Sequence, residues 1–186
     1  MISFGIDGLR FQLRAAAVIV EDGHALLHRL EGDPIWALPG GRVEPGEPGA
    51  AAVVREMREE TDEHIECGEL LFVVENFFEQ QGTRQHEIGL YFHSTLRPES
   101  RLRKKAISHK GVESGKALEF RWFQLSELEK VNLHPIFCVA HLLLRLTRFA
   151  TSSSAGENAP TAGKQGLLAA VPRHPHRAAG PPWAVQ

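Results

Sequence analysis

Apolar residues cluster in two short runs near the start of the chain. Residues 15–20 are apolar, residues 25–28 are apolar apart from His28, and Glu21-Asp22-Gly23 lies between the two runs. An Asp-Gly dipeptide between two apolar runs is a strong signal for a hairpin turn. Residues 14–29 therefore predict two antiparallel strands. A short apolar strand follows at residues 36–38 and ends at Pro39-Gly40-Gly41, where the glycines permit a sharp turn and close backbone approach.

The next segment, residues 48–61, has the spacing of a helix. Pro48 suits the first helical turn, where its missing N–H is not needed. Apolar or small residues recur on one face at helical spacing: Ala50, Val53, Val54, Met57 and Thr61. The pattern predicts a helix that packs this face inward.

The second half of the chain predicts more strands and a final helix. Residues 70–80 and 84–95 are rich in Phe, Val, Ile, Leu and Tyr and flank Gln81-Gly82-Thr83, which indicates a second, longer hairpin. Residues 97–116 are charged and apolar-poor, so we expect a mobile surface loop before a strand at 119–124. Ser126 and Glu129 have the spacing of a capping box for a short helical turn, and residues 135–150 have that of a longer helix.

The order of these elements predicts a mixed α/β domain in which helices cover a sheet. From residue 151 onward Ser, Ala, Gly and Pro dominate, which is typical of a disordered tail. We therefore divide the chain into an N-terminal segment (1–13), one folded domain (14–150) and a low-complexity tail (151–186). A chain of 186 residues is long enough for a domain with an ordinary core.

Charge and cysteine content exclude several classes of partner. The formal net charge of −2 provides no basic field of the kind that gathers nucleic acid polymers. Cys67 and Cys138 have no paired spacing, which favours free thiols in a reducing compartment. Neither a leader-like start nor an apolar run of the roughly 18 residues that a membrane span requires is present. We expect a cytoplasmic protein with no membrane partner.

Acidic residues are concentrated on the predicted helix. Glu56, Glu59, Glu60 and Glu63 stand at i, i+3, i+4 and i+7, which predicts a stripe of carboxylates opposite Val53 and Met57. Like charges at this spacing repel, and a divalent cation would turn the repulsion into attraction. Oxygen ligands suit Mg²⁺ or Mn²⁺, which indicates metal-assisted hydrolysis. The alternative is a merely solvated helix face.

Residue spacing around this helix resembles the Nudix box. The matching positions are Gly41, Glu47, Arg55, Glu56, Met57, Glu59, Glu60 and Thr61. The resemblance implies a Nudix fold, a mixed β-sheet sandwiched between α-helices, as in MutT-like and ADP-ribose pyrophosphatase-like members. Two positions depart from the box: Asp62 replaces the glycine that ends the helix, and Glu63 replaces an apolar residue. We expect Asp62 to adopt the left-handed conformation and Glu63 to turn outward or find a partner.

The resemblance also implies roles for individual residues. Glu56, Glu59 and Glu60 would bind Mg²⁺ or Mn²⁺, together with a backbone carbonyl near Gly41. Arg55 would orient these carboxylates while held by an acidic partner, Glu47. The general base is either Glu56 or Glu113, since family members recruit it from the box helix or from a later loop. The catalytic set is thus Arg55, Glu56, Glu59 and Glu113.

Substrate contacts are less constrained by the sequence. Trp36, Phe78, His86 and Glu87 are candidates for a nucleotide pocket, although aromatic residues in strands usually belong to the core. The expected activity is hydrolysis of the pyrophosphate linkage in a nucleoside diphosphate derivative or nucleoside triphosphate. The alternative is a catalytically weak nucleotide-binding sensor, which the departures at Asp62 and Glu63 would favour. Relatives occur as monomers and dimers, so a homodimer stays open.

Overall fold

The structure is a computed structural model that describes residues 1–80 and 82–135. One α-helix, α1, spans Gly49–Thr61, and two 3₁₀ turns span Arg101–Arg103 and Leu125–Lys130. Nine strands complete the described part: β1 (Ser3–Ile6), β2 (Leu9–Val18), β3 (Val20–Glu21), β4 (His24–Leu30), β5 (Gly40–Arg42), β6 (Ile65–Gln80), β7 (Thr83–Leu96), β8 (His109–Glu113) and β9 (Lys116–Gln124).

The strands form two sheets. The first sheet has the order β1-β2-β7-β6, and β5 also pairs with β2. Its pairings are antiparallel except for β2 with β7, which run parallel. The second sheet has the order β3-β4-β9-β8 and is antiparallel throughout. These sheets and α1 confirm the predicted α/β class. The predicted helix at 135–150, apart from Pro135, and the predicted tail lie outside the described residues.

Strand β2 is buried on both faces and holds the core together. Ala15 and Ala17 pack with α1 and the second sheet, whereas Ala16 and Val18 belong to a second cluster on the other face. Burial on both faces explains why residues 15–20 read as a continuous apolar run without alternation. The small side chains at these positions let the elements on both faces approach the strand closely. The polar residues of β2 therefore lie close to both core clusters.

The prediction of a mobile surface loop at residues 97–116 is wrong. This stretch contains the turn at Arg101–Arg103 and all of β8, which pairs with β9 around Ser114-Gly115. Leu102 is fully buried, and Trp122 Nε1 donates a hydrogen bond to its carbonyl at 2.6 Å. Consequently β9 begins at Lys116, three residues before the predicted start. The Ser-Gly dipeptide is a turn signal that marks the missed hairpin.

Two smaller differences concern the ends of the described chain. β1 and β2 form a hairpin over Asp7-Gly8, so the proposed boundary at residue 14 falls inside β2. The 3₁₀ turn at Leu125–Lys130 confirms a short helical turn, but its N-cap is Gln124 and no side chain caps it. The predicted capping role of Ser126 is therefore wrong.

No helix in residues 1–80 and 82–135 is both long and apolar enough to cross a membrane.

Candidate active site

The acidic residues of α1 do not form the single exposed stripe that we predicted. Glu59 points outward with 58% of its side chain exposed, whereas the Glu60 side chain is 2% exposed. The reason is helical spacing, because Val53, Met57 and Glu60 stand at i, i+4 and i+7 and share the buried face. Glu56 lies between these two environments, with 14% of its side chain exposed. The helix thus directs its carboxylates into three different environments.

Gly41 brings backbone directly against the carboxylate of Glu56. A Cβ atom at Gly41 would lie 2.3 Å from Glu56 Cδ, closer than any real contact. Gly40 is constrained differently, since its φ of 141° is unfavourable for other residues and a Cβ would lie 2.2 Å from the carbonyl oxygen of Ala15. The two glycines therefore let β5 pack between β2 and α1 beside the acidic group.

Arg55 joins the carboxylates at the start and middle of the helix. Its Nε and Nη2 donate hydrogen bonds to Glu47 at 2.8 and 3.0 Å. Nη1 donates to Glu56 at 2.9 Å and to Glu59 at 3.1 Å, and Nη2 also reaches the carbonyl of Arg42. The bond with Glu47 raises the pKa of Arg55 and lowers the pKa of Glu47. The predicted Arg55–Glu47 pair is present.

Glu56 and Glu60 are both held in places that disfavour an isolated charge. Burial raises the pKa of Glu56, and the hydrogen bond from Arg55 offsets part of that rise. Both oxygens of Glu60 are buried without a hydrogen-bond partner, and Oε2 lies 3.3 Å from His28 Nδ1, which is itself without one. A buried carboxylate in this state is unfavourable unless a cation approaches it. Its orphaned oxygens are the hard ligands that Mg²⁺ prefers, so this donor set fits a divalent ion.

An acidic cavity of about 310 Å³ opens in front of these carboxylates. We call it the acidic cavity; its lining is Met1, Arg42, Glu44, Arg55, Glu56, Glu59, Glu60, Val112, Glu113 and Ser114. The structure thus brings Glu113, at the exposed end of β8, to the same cavity as the helix carboxylates. Across the described ranges, no three His, Cys, Asp or Glu side chains are already close enough to hold an ion.

A second cavity of about 210 Å³, here called the sheet cavity, lies on the other face of β2. Asn76, Glu87 and Gln12 line it and stand in register across β6, β7 and β2, which makes a polar row. Gln12 Nε2 donates a hydrogen bond to Glu87 Oε2 at 2.6 Å. Phe78 and Tyr91 line the cavity beside this row. Its chemistry combines a buried carboxylate, two amides and aromatic surface.

The predicted substrate contacts divide into two groups. Phe78 and Glu87 line the sheet cavity, but Trp36 and His86 do not. Trp36 is buried in the core against Phe123; residues 36 and 37 form only isolated bridges, so the predicted strand at 36–38 is wrong. His86 packs between aromatic rings on the opposite face of the sheet from Glu87, because successive side chains of a strand point to opposite faces. For these two residues the placement disagrees with the predicted role.

Sequence reasoning missed Gln12, Arg14, Asn76 and His28. Gln12 contacts Glu87 only because β2 pairs in parallel with β7, which joins residues far apart in the chain, and Arg14 follows two residues later on β2 and lines the same cavity. The available signal was their alternation with the apolar residues of β2, which marks one sheet face.

The two departures from the box are accommodated at the helix end. Asp62 adopts the left-handed conformation with φ 59° and ψ 21°, as predicted, and its N–H donates to the carbonyl of Arg58 at 2.9 Å. Glu63 is paired with Arg101 at 3.3 Å. Arg101 also donates a hydrogen bond to the carbonyl of Thr61 at 2.7 Å. A side chain from the unexpected turn thus replaces part of what the glycine and apolar residue would provide.

A family model described as NUDIX domain matches residues 11–137, more than half of the chain. The chain belongs to the Nudix hydrolase family. This membership confirms a hydrolase that acts on phosphoanhydride bonds, and the Nudix α/β fold predicted from the sequence.

Individual relatives support the same fold. The structure of a MutT Nudix hydrolase from Burkholderia pseudomallei is 27% identical with a TM-score of 0.52, covering 73% of this chain and 96% of that one. An Ap4A hydrolase from C. elegans is 22% identical with a TM-score of 0.53, covering 76% and 98%, and shows the fold alone. A Bacillus subtilis (strain 168) protein named for 8-oxo-dGTP diphosphatase activity is 50% identical over 44 residues. That match covers 24% of this chain and 30% of the relative.

Proposed function

We propose that this Nudix hydrolase uses Mg²⁺ or Mn²⁺ to cleave the pyrophosphate linkage of a nucleoside triphosphate whose base is of the guanine type. The observation that carries the metal part is Glu60, a buried carboxylate whose two oxygens have no hydrogen-bond partner in the described chain and which lines the acidic cavity. Glu56 and Glu60 would hold the ion, Glu59 would approach from the exposed side, and the backbone at Gly41 adjoins Glu56.

Protein groups around this site would position the diphosphate and the attacking water. When bound, the ion neutralises phosphate charge and lowers the pKa of water. Arg55 fixes Glu56 through the hydrogen bond at 2.9 Å and is itself fixed by Glu47. Glu113 also lines the acidic cavity, and its carboxylate has no hydrogen-bond or ion-pair partner among the described residues. We therefore favour Glu113 over Glu56 as the group that accepts the proton from water.

The choice of base can be tested with paired variants. Glu113→Gln should lower kcat by about 10²- to 10⁴-fold while leaving Mn²⁺ affinity unchanged, because a general base contributes on that order. Glu56→Gln should lower both, since it removes a metal ligand. Glu113→Gln with wild-type kcat would return the role to Glu56.

The polar row of the sheet cavity supports a guanine-type base. A carboxylate only accepts hydrogen bonds, so Glu87 needs N–H donors from its ligand. The pairing edge of guanine presents adjacent N1–H and N2–H donors, whereas that of adenine places an acceptor beside one amino group. Asn76 stands directly across from Glu87 in register, and the partly exposed Phe78 provides a surface on which a base can stack. The relative named for 8-oxo-dGTP diphosphatase activity agrees with this choice.

A nucleotide panel tests the substrate class. We expect kcat/KM for dGTP or 8-oxo-dGTP to exceed that for dATP, dCTP, dTTP and ADP-ribose by about 10- to 100-fold, the range that one good two-point base contact provides. Glu87→Gln should reduce this preference. Glu79→Gln, at the exposed rim of the same cavity, is the matched control and should retain it. Equal rates across the panel would overturn the base assignment without affecting the proposed metal chemistry.

No observation favours the nucleotide-binding sensor. That alternative was motivated by Asp62 and Glu63, and both are accommodated with α1 intact as far as Thr61. Tight nucleotide binding by the purified protein without any metal-dependent product would nevertheless support it.

A further inference from the structure

His28 lies between the acidic carboxylate Glu60 and the sheet cavity. It belongs to β4, and 6% of the residue is exposed. Its Nδ1 is 3.3 Å from Glu60 Oε2, and its Nε2 is 3.3 Å from Nη2 of Arg14. The same Arg14 nitrogen donates a hydrogen bond to the carbonyl of Leu38 at 2.9 Å, and Arg14 lines the sheet cavity. Three side chains from β2, β4 and α1 therefore form one contact chain, Arg14–His28–Glu60.

The guanidinium of Arg14 decides which nitrogen of His28 carries the proton. A guanidinium has five N–H donors and no acceptor, so the nitrogen that faces it must accept. His28 Nε2 is then unprotonated, and the neutral ring carries its proton on Nδ1. Nδ1 faces the acceptor Oε2 of Glu60 at 3.3 Å, and neither atom has a hydrogen-bond partner in the described chain. The contact chain therefore turns a donor toward a carboxylate that has no other partner in the described chain.

We propose that His28 is a positioning residue that orients Glu60 for the divalent ion, and that Arg14 fixes the tautomer that makes this orientation possible. The inference rests on the proposed metal-binding function of Glu60. Histidine is fit for this role because one ring joins two polar groups 3.3 Å from either nitrogen. Attraction from Nδ1–H, at 3.3 Å and without a hydrogen bond formed in the structure, would turn Oε2 toward the ring and leave Oε1 for the ion.

Packing alone does not account for a histidine here. The ring of His28 contacts the ring of Phe120 at a centroid distance of 5.3 Å, which any aromatic side chain would allow. An apolar ring would remove the donor that faces the buried Glu60 and one of the two contacts of Arg14 Nη2, and unpaired buried polar groups are unfavourable. The two polar contacts therefore distinguish a positioning role from a filling role.

Two isosteric variants separate the two ends of the ring. His28→Asn places an amide nitrogen near the position of Nδ1 and keeps a donor toward Glu60. His28→Gln places its amide near Nε2, so it keeps an acceptor for Arg14 but loses the donor toward Glu60. The readout is the dissociation constant for Mn²⁺ without nucleotide, measured by electron paramagnetic resonance. Thermal unfolding in EDTA gives a separate measure of folding for each variant.

The proposal predicts that His28→Gln weakens Mn²⁺ binding by about 10- to 100-fold, the range for partners of metal ligands, and that His28→Asn binds close to the wild type. Arg14→Met should weaken binding in the wild-type background and have no such effect with His28→Asn, whose amide has no tautomer to fix. His24→Asn, on the same strand with its ring against the carbonyl of Asp22, is the control and should bind as the wild type does.

Equal Mn²⁺ affinities for wild type, His28→Gln and His28→Asn would overturn the proposal, whatever their thermal stabilities. A loss in both variants to the same extent would also overturn it, because the position of the donor would then be irrelevant. Failure of the underlying metal function looks different: wild type and Glu60→Gln would bind Mn²⁺ equally weakly.

Discussion

Glu47 accepts two hydrogen bonds from Arg55, at 2.8 Å from Nε and 3.0 Å from Nη2. This two-point contact fixes the plane of the guanidinium, so that Nη1 can reach Glu56 and Glu59 at the same time. The loop before α1 thereby sets the geometry of carboxylates about two and three turns into the helix. An ordinary surface ion pair would have little effect on either fold or rate.

Arg55→Lys tests whether this geometry matters. We expect kcat/KM to fall by about 10- to 100-fold, because a lysine is a single point of charge and cannot hold three carboxylates in one plane. The Mg²⁺ concentration for half-maximal rate should rise as well. Arg58→Lys, on the exposed side of the same helix, is the control. Similar rates for the two variants would show that Arg55 forms only a surface ion pair.

Gly41→Ala should disturb the site and spare the fold. The three heavy atoms nearest to the added Cβ all belong to the carboxylate of Glu56, which can swing away, so we expect an unchanged free energy of unfolding. The Mg²⁺ concentration for half-maximal rate should rise by about tenfold or more. Gly40→Ala is the contrasting variant, because its Cβ meets the backbone of Ala15 and should destabilise the fold itself. Urea unfolding and Mg²⁺ titration of the rate distinguish the two effects. A fully active Gly41→Ala enzyme would contradict this role of the glycine.

The left-handed residue at the end of α1 offers room for stabilisation. Asp62→Gly should raise the free energy of unfolding by about 0.5–1 kcal/mol, because glycine adopts a φ of 59° without steric strain. Asp62→Ala should lower it, since alanine carries the strain without a polar side chain. Urea denaturation provides the measurement. An order other than Gly, Asp, Ala would indicate that a contact of the Asp62 side chain outweighs backbone strain.

His109 makes the fold sensitive to acid. Burial lowers its pKa from the ordinary value of 6.5, although a hydrogen bond with the carbonyl of Lys104 acts in the opposite direction. Because the folded pKa is the lower one, the unfolded chain binds the proton first. The contribution of neutral His109 to the free energy of unfolding is therefore present in full above about pH 6.5. It is lost as the pH falls through the pKa of His109 in the folded state.

The expected result is a smaller loss of unfolding free energy in His109→Gln than in the wild type between about pH 7.5 and about pH 5.5. Exposed His64→Gln should follow the wild-type curve. Parallel curves for wild type and His109→Gln would mean that its protonation does not contribute.

Local sequence signals predicted those parts of the molecule that local chemistry determines. Asp22-Gly23 marks the turn between β3 and β4, and helical spacing marks α1 to within one residue of its observed start. The left-handed Asp62 follows from its position at the helix end, whereas the pairing of Arg55 with Glu47 was implied by the resemblance to the Nudix box. Such features need no knowledge of distant strands.

Long-range pairing accounts for what the sequence did not predict. The parallel register of β2 with β7 places Gln12 beside Glu87, and no short-range pattern specifies that register. The missed strand β8 is short and polar, and basic residues of the preceding turn are neutralised by partners such as Asp22 and Glu63. The many charged residues at 97–116 are therefore typical of a solvated loop, although the segment is folded.

Glu60 carries the central claim, so its replacement is the most direct measurement. Hydrolysis of dGTP should require a divalent ion in the wild type, and Glu60→Gln should lower kcat on the order of 100-fold or more, because an ion supplies several kcal/mol to the transition state. In EDTA the same variant should unfold at a higher urea concentration, since it replaces a buried carboxylate whose oxygens have no hydrogen-bond partner with a neutral amide of similar size. Exposed Glu66→Gln is the control. Equal metal-dependent rates for wild type and Glu60→Gln would contradict the account.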